Sequence, residues 1–122
     1  MKAIAAIAAA VFLALAASAH AGEGSFVGAS GHETSGTVSV QEDGGMIVIE
    51  LHDSFSLDGA PDPYVALGTG SKPIEGGLIE KLRENTGGQR YSAEATDALK
   101  NADEVVIWCK RFSVPLGVAK IE

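Results

Sequence analysis

The chain has 122 residues, a formal net charge of -7, three histidines and one cysteine. The acidic balance excludes a surface built to hold nucleic acid, because clustered Lys and Arg supply that attraction. One cysteine excludes an internal disulfide framework, and the length suits a single domain.

Residues 1–21 read as a secretory signal peptide. Lys2 is the charged start, residues 3–17 form an Ala-rich apolar run, and Ala19-His20-Ala21 is a small-x-small cleavage site. The run is too short and wrongly flanked for a membrane span. Cleavage is expected after Ala21, with Ala17-Ser18-Ala19 as a second site. No later segment is apolar enough to cross a bilayer. The remaining domain, residues 22–122, is expected in the periplasm or outside the cell. Losing Lys2 from nine basic residues leaves eight against sixteen acidic, a net charge of -8. Such a surface is soluble and repels nucleic acid and anionic lipid.

Residues 22–31 are rich in Gly, Ser and Ala and read as a short first strand anchored by Phe26. Glu33-Thr34-Ser35-Gly36 is turn chemistry. Residues 37–41 alternate, with Val38 and Val40 inward. Glu42-Asp43-Gly44-Gly45 is a strong hairpin signal, and residues 46–53 are its partner strand, with Ile47, Ile49 and Leu51 on one face. Residues 57–63 form a loop, residues 64–67 a short strand, and residues 73–77 a break. Residues 78–83 fit a helix or a strand. Gly87-Gly88 turns the chain into a strand at Gln89-Arg90-Tyr91, and residues 93–101 read as a helical turn.

The densest β-branched and aromatic run of the domain follows at residues 103–114 and holds the only Trp and the only Cys. Read as one central strand, it places Val105, Ile107 and Cys109 on one face and Val106, Trp108, Phe112 and Val114 on the other. Pro115-Leu116-Gly117 bends the chain, and residues 118–121 make a final strand. Many short strands between Gly-rich turns predict an all-β fold, an antiparallel sandwich or barrel.

Cys109 carries the functional question. A lone thiol is a small core hydrophobe or a reactive group, and cations such as Arg111, on the same parity, favour the thiolate. His32, His52, Cys109 and Met46 contain the donor types of a blue-copper set, but no His follows Cys109 closely and Met46 is remote. His32 and Cys109 are weak metal candidates without a complete ligand set, zinc lacks its spacing, and haem is not indicated either. Asp58 and Asp62 read as Ca²⁺ oxygens or as plain turn residues. No complete catalytic constellation is visible, so the chain leans away from being an enzyme.

The residues resemble those of the DM thirteen domain family, small exported β-domains often found beside DOMON domains. The likeness rests on Gly24-x-Phe26, His32-x-x-Ser35-Gly36, Phe55, Ala60-Pro61-Asp62 before Tyr64-Val65-x-Leu67, Leu78 with Leu82, and Gly88-Gln89-x-Tyr91. Its strongest piece is Val106-Ile107-Trp108-Cys109-x-x-Phe112-x-Val114, followed by Gly117 and Ala119. The resemblance implies an exported redox or electron-transfer accessory domain with Cys109 as the redox centre. It also implies His32, Asp62, Gln89, Tyr91 and Trp108 as binding or supporting residues, and a separate redox partner protein. The loop usually reads Gly-Pro-Asp, and here Ala60 replaces the Gly. The rival reading is an extracytoplasmic binding or adhesion module in which Cys109 belongs to the core.

Overall fold

The computed structural model describes residues 22–122; the expected signal peptide lies outside the described residues. Ten strands and one short helix follow in order. They are β1 (Gly22–Gly28), β2 (Thr34–Ser35), β3 (Thr37–Asp43), β4 (Met46–Leu51), β5 (Ser56–Leu57), β6 (Pro63–Thr69), β7 (Lys72–Lys81), β8 (Gln89–Glu94), α1 (Asp97–Lys100), β9 (Glu104–Cys109) and β10 (Val114–Lys120). Eight of them form one antiparallel sheet, ordered β7-β6-β9-β10-β1-β3-β4-β8, nearly closed into a barrel. Strands β2 and β5 make a separate two-stranded pair. The fold class is therefore the all-β, barrel-like one predicted.

Local chemistry explains most strands. Gly44 and Gly45 both take left-handed φ, 60° and 82°, giving the turn that joins β3 to β4 with Asp43 opposite Met46. Alternation along the strands then sends Val38, Ile47, Ile49, Leu51, Val65, Leu67, Val105 and Ile107 into one core, beside Phe26, Phe55 and Tyr91. Phe26 and Phe55 meet edge to face with centroids 5.4 Å apart.

Three expectations are corrected. Residues 103–114 are not one strand: β9 ends at Cys109, the chain turns at residues 110–113, and β10 starts at Val114. Ser113 adopts φ 55° and its N–H donates to Cys109 O at 2.8 Å, which closes the turn. Phe112 is therefore 60% exposed at the hairpin tip instead of packing beside Trp108. Residues 73–77 are not a break but part of β7, where Gly76 takes φ 77° and the pairing with β6 shifts register. An edge strand with bulges tolerates Pro73, whose missing N–H need not join a ladder. Residues 78–81 are strand, and the helix shrinks to α1, begun by Thr96, whose side chain accepts from Leu99 N.

The registers divide the barrel into two ends. One holds the β3–β4 turn, the β6–β7 turn, α1 and Glu104. The other holds residues 29–36, 52–62, 82–88 and 110–113, and it is the end where Cys109 sits.

Candidate functional site

Cys109 is the last residue of β9, paired with Pro63 on one side and Val114 on the other. It shares a face with Val105 and Ile107, as expected, and that face points inward, leaving the residue 1% exposed within the main core. The thiol donates to Pro61 O at 3.1 Å. Next to it, Lys110 N donates to Asp62 O at 3.1 Å. The loop between β5 and β6 thus folds over the sulfur and is fixed there by a side-chain and a backbone donor.

The rest of that loop is braced by charge. Asp58 accepts from His32 Nδ1 at 2.9 Å and from Glu33 N at 3.0 Å, while its own N–H donates to Glu33 O. The Glu33 amide and then His32 hold the Asp58 carboxyl below its ordinary range, because both favour the anion. At the other end Asp62 Oδ1 accepts from Lys81 Nζ at 3.1 Å. Gly59 and Asp62 take left-handed φ, 110° and 58°, and Ala60 is not among the residues that do. Ala60, where the resemblance leads one to expect Gly, is therefore compatible with the loop.

Gln89 and Tyr91 brace the neighbouring loop. The Gln89 amide donates to Glu84 O at 2.9 Å and Gly87 O at 3.2 Å, and its carbonyl accepts from Glu84 N and from the Tyr91 hydroxyl at 2.6 Å. The Tyr91 oxygen also accepts from Arg83 N at 3.1 Å, and the Arg83 guanidinium lies 4.2 Å from the ring centroid. Burial pushes the Tyr91 hydroxyl above its ordinary range, opposed by the Arg83 amide and charge. This loop reaches the first through Leu57 N to Asn85 O at 2.8 Å and Gly87 N to Phe55 O at 2.9 Å. Buried backbone groups need such partners, and loops without a ladder take them from side chains.

Cys109, His32, Asp62, Gln89 and Tyr91 therefore lie at one end of the barrel, where the first three belong to or brace the loop over the thiol and Gln89 and Tyr91 brace the neighbouring loop. Trp108 stands apart. It faces outward, half-buried between Tyr64 and Pro115. The metal readings fit poorly. His32 engages Asp58 while Cys109 engages Pro61, His52 Nδ1 lies 2.7 Å from Thr37 Oγ1, and Met46 sits at the opposite end. Among the described residues no group of three or more His, Cys, Asp and Glu side chains is arranged to hold an ion. Asp58 and Asp62 are committed to separate partners, not to one Ca²⁺. Sequence reasoning missed the Arg83–Tyr91 stack and Thr34. Thr34 was assigned to a turn, yet it is buried and donates to Leu116 O at 2.8 Å. A Cβ added at Gly117 would lie 2.6 Å from Thr34 Cβ, which accounts for the Gly in that stretch.

A family model described as "Electron transfer DM13" matches residues 25–121. Searches of curated proteins and of solved structures returned no match.

Proposed function

The chain belongs to the electron transfer DM13 family, and on that premise we propose that it is an exported redox domain whose working group is the Cys109 thiol. Membership supports a role related to electron transfer in general. The finer reading is carried by one observation: the only thiol is buried at the base of a braced loop, with its hydrogen directed at Pro61 O. In this arrangement the loop is a gate. Its outer braces, the His32–Asp58 hydrogen bond and the Lys81–Asp62 ion pair, are partly exposed. Such pairs contribute little, so lifting the loop costs less than unfolding the barrel. The signal-like residues 1–21 support export, and a separate protein would exchange electrons with the sulfur once the gate lifts.

Alkylation of the native protein tests this. The expected rate is slow and nearly independent of denaturant at low concentration, because the loop opens locally. A rate that tracks global unfolding throughout overturns the proposal. Export is checked by the mass of the protein in the extracytoplasmic fraction, expected to begin at Gly22.

The 1% exposure of Cys109 favours a second reading, a binding module with a structural thiol. Cys109→Ser separates the two. Serine keeps a donor for Pro61 O but loses the redox chemistry, at a stability cost of about 1–2 kcal/mol. Under the second reading partner binding and phenotype survive; under the first the phenotype is lost while the fold persists.

A further inference from the structure

The outer face of the sheet carries residues that the thiol site does not use. The alternation that buries Cys109 turns Trp108 outward, and the register sets Trp108 beside Tyr64. Both are half-buried on the barrel surface. The ammonium groups of Lys81 and Lys110 lie 5.8 Å and 5.3 Å from the Tyr64 ring centroid. At the adjoining hairpin tip Phe112 is 60% exposed, with the Arg111 guanidinium 5.9 Å from its ring centroid.

Charge singles out the same place. Among the described residues, Lys81, Arg83, Arg90, Lys100 and Lys120 each have a carboxylate within ion-pair distance. Lys72, beside the β6–β7 turn at the opposite end, and Lys110 and Arg111 have no such partner, and of these three only Lys110 and Arg111 are adjacent, although acidic residues outnumber basic ones in the chain by sixteen to nine. Two consecutive cations thus stand unneutralised beside three aromatic rings on a strongly acidic domain. Trp, Tyr and Arg are the residues that dominate binding at protein interfaces, and complementary charge selects and steers the partner.

We propose that this face is a docking surface for an acidic protein partner. Carboxylates of the partner meet Lys110 and Arg111, and its apolar atoms cover Phe112, Trp108 and Tyr64. An anionic membrane offers similar chemistry, but a planar surface also meets the domain's many carboxylates, which repel it. A protein touches the patch alone, so the observations favour a protein. The identity of the partner as an electron-exchange protein rests on the redox reading, since Trp108 precedes Cys109 on β9. Docking itself does not require the thiol to react.

Trp108 is the only tryptophan, so its fluorescence reports on the patch. The probe is a synthetic Asp/Glu-rich peptide carrying one tyrosine, titrated at low ionic strength. The expected result is a saturable change in emission, with binding weakened about tenfold or more by added salt and by the double reversal K110E/R111E. Circular dichroism and Tm verify that the double variant is folded. Phosphatidylglycerol vesicles form the second arm. No saturable response to the peptide, a response that survives charge reversal, or binding to vesicles but not peptide overturns the proposal. Alkylation of Cys109 is followed separately on the unaltered protein, so failure of docking and failure of the thiol reading are distinguishable.

Discussion

The two ends of the barrel are closed by different physics. At the far end, tight turns such as Gly44-Gly45 reverse the chain, and α1 seats Leu99, 6% exposed, in the core. Closure there rests mainly on apolar burial and local turn geometry, with polar ties at the β6–β7 turn, where Ser71 N donates to Glu104 Oε1 at 2.7 Å and Thr69 Oγ1 to Asp103 Oδ1 at 2.9 Å. At the Cys109 end longer loops lie over the core, and side chains both near and far in sequence tie them down. His32 reaches Asp58, Gln89 reaches Glu84 and Gly87, and Cys109 reaches Pro61 across 48 positions of sequence. The comparison teaches that the loops at the Cys109 end depend on polar cross-braces, whereas the far end depends more on apolar bulk and tight turns.

Substitutions at each end sharpen the contrast. Leu99→Ala removes a buried anchor and should cost about 2–4 kcal/mol by thermal or denaturant unfolding. Its effect on Cys109 alkylation should be only what global unfolding explains. Gln89→Ala removes the acceptor of the Tyr91 hydroxyl proton and the side-chain partner of the Glu84 and Gly87 backbone groups and should cost about 2–3 kcal/mol. Here alkylation of Cys109 should accelerate at denaturant concentrations that leave the fold intact. Equal alkylation in both variants at matched stability would remove the distinction between the ends.

The smallest effect is that of pH. The Asp58 carboxyl has a lowered folded-state pKa, so its contribution is present above the unfolded value of about 4 and is lost as pH falls through the folded value. Below about pH 4, hydrogen exchange of the Glu33 amide, which Asp58 holds, should rise more than that of the β3–β4 amides. Asp58→Asn should abolish this difference. Tyr91 has the opposite sign. Its raised value means a contribution complete below the unfolded value of about 10 and lost as pH rises through the folded one.

Much of the fold was legible because it is local. The β3–β4 hairpin follows from two adjacent glycines, and the shared face of Val105, Ile107 and Cys109 follows from alternation. The turn at residues 110–113 was hidden because Lys-Arg-Phe-Ser contains no Gly, Pro, Asn or Asp, and Ser113 supplies the left-handed residue unannounced. β7 was misread because Pro73 and Gly76 signal a break everywhere except on an edge strand with bulges. The candidate site was legible as a set of residues and not as an arrangement. Nothing near Cys109 announces the carbonyl of Pro61, and nothing near Gln89 announces that its amide ties a loop in place of binding a ligand. Those pairings depend on how distant loops close over the core.

The sheet order has a consequence for synthesis. β1, the first strand described, lies between β3 and β10, and its Phe26 pairs with Ala119 near the end of the chain. β10 alone joins the β7-β6-β9 half to the β1-β3-β4-β8 half. The barrel therefore cannot close until β10 has left the ribosome. A nascent chain stalled at Ser113 should leave the Ala29 amide, which donates to Leu116 O, open to hydrogen exchange, and protection there before β10 emerges would contradict this order of events.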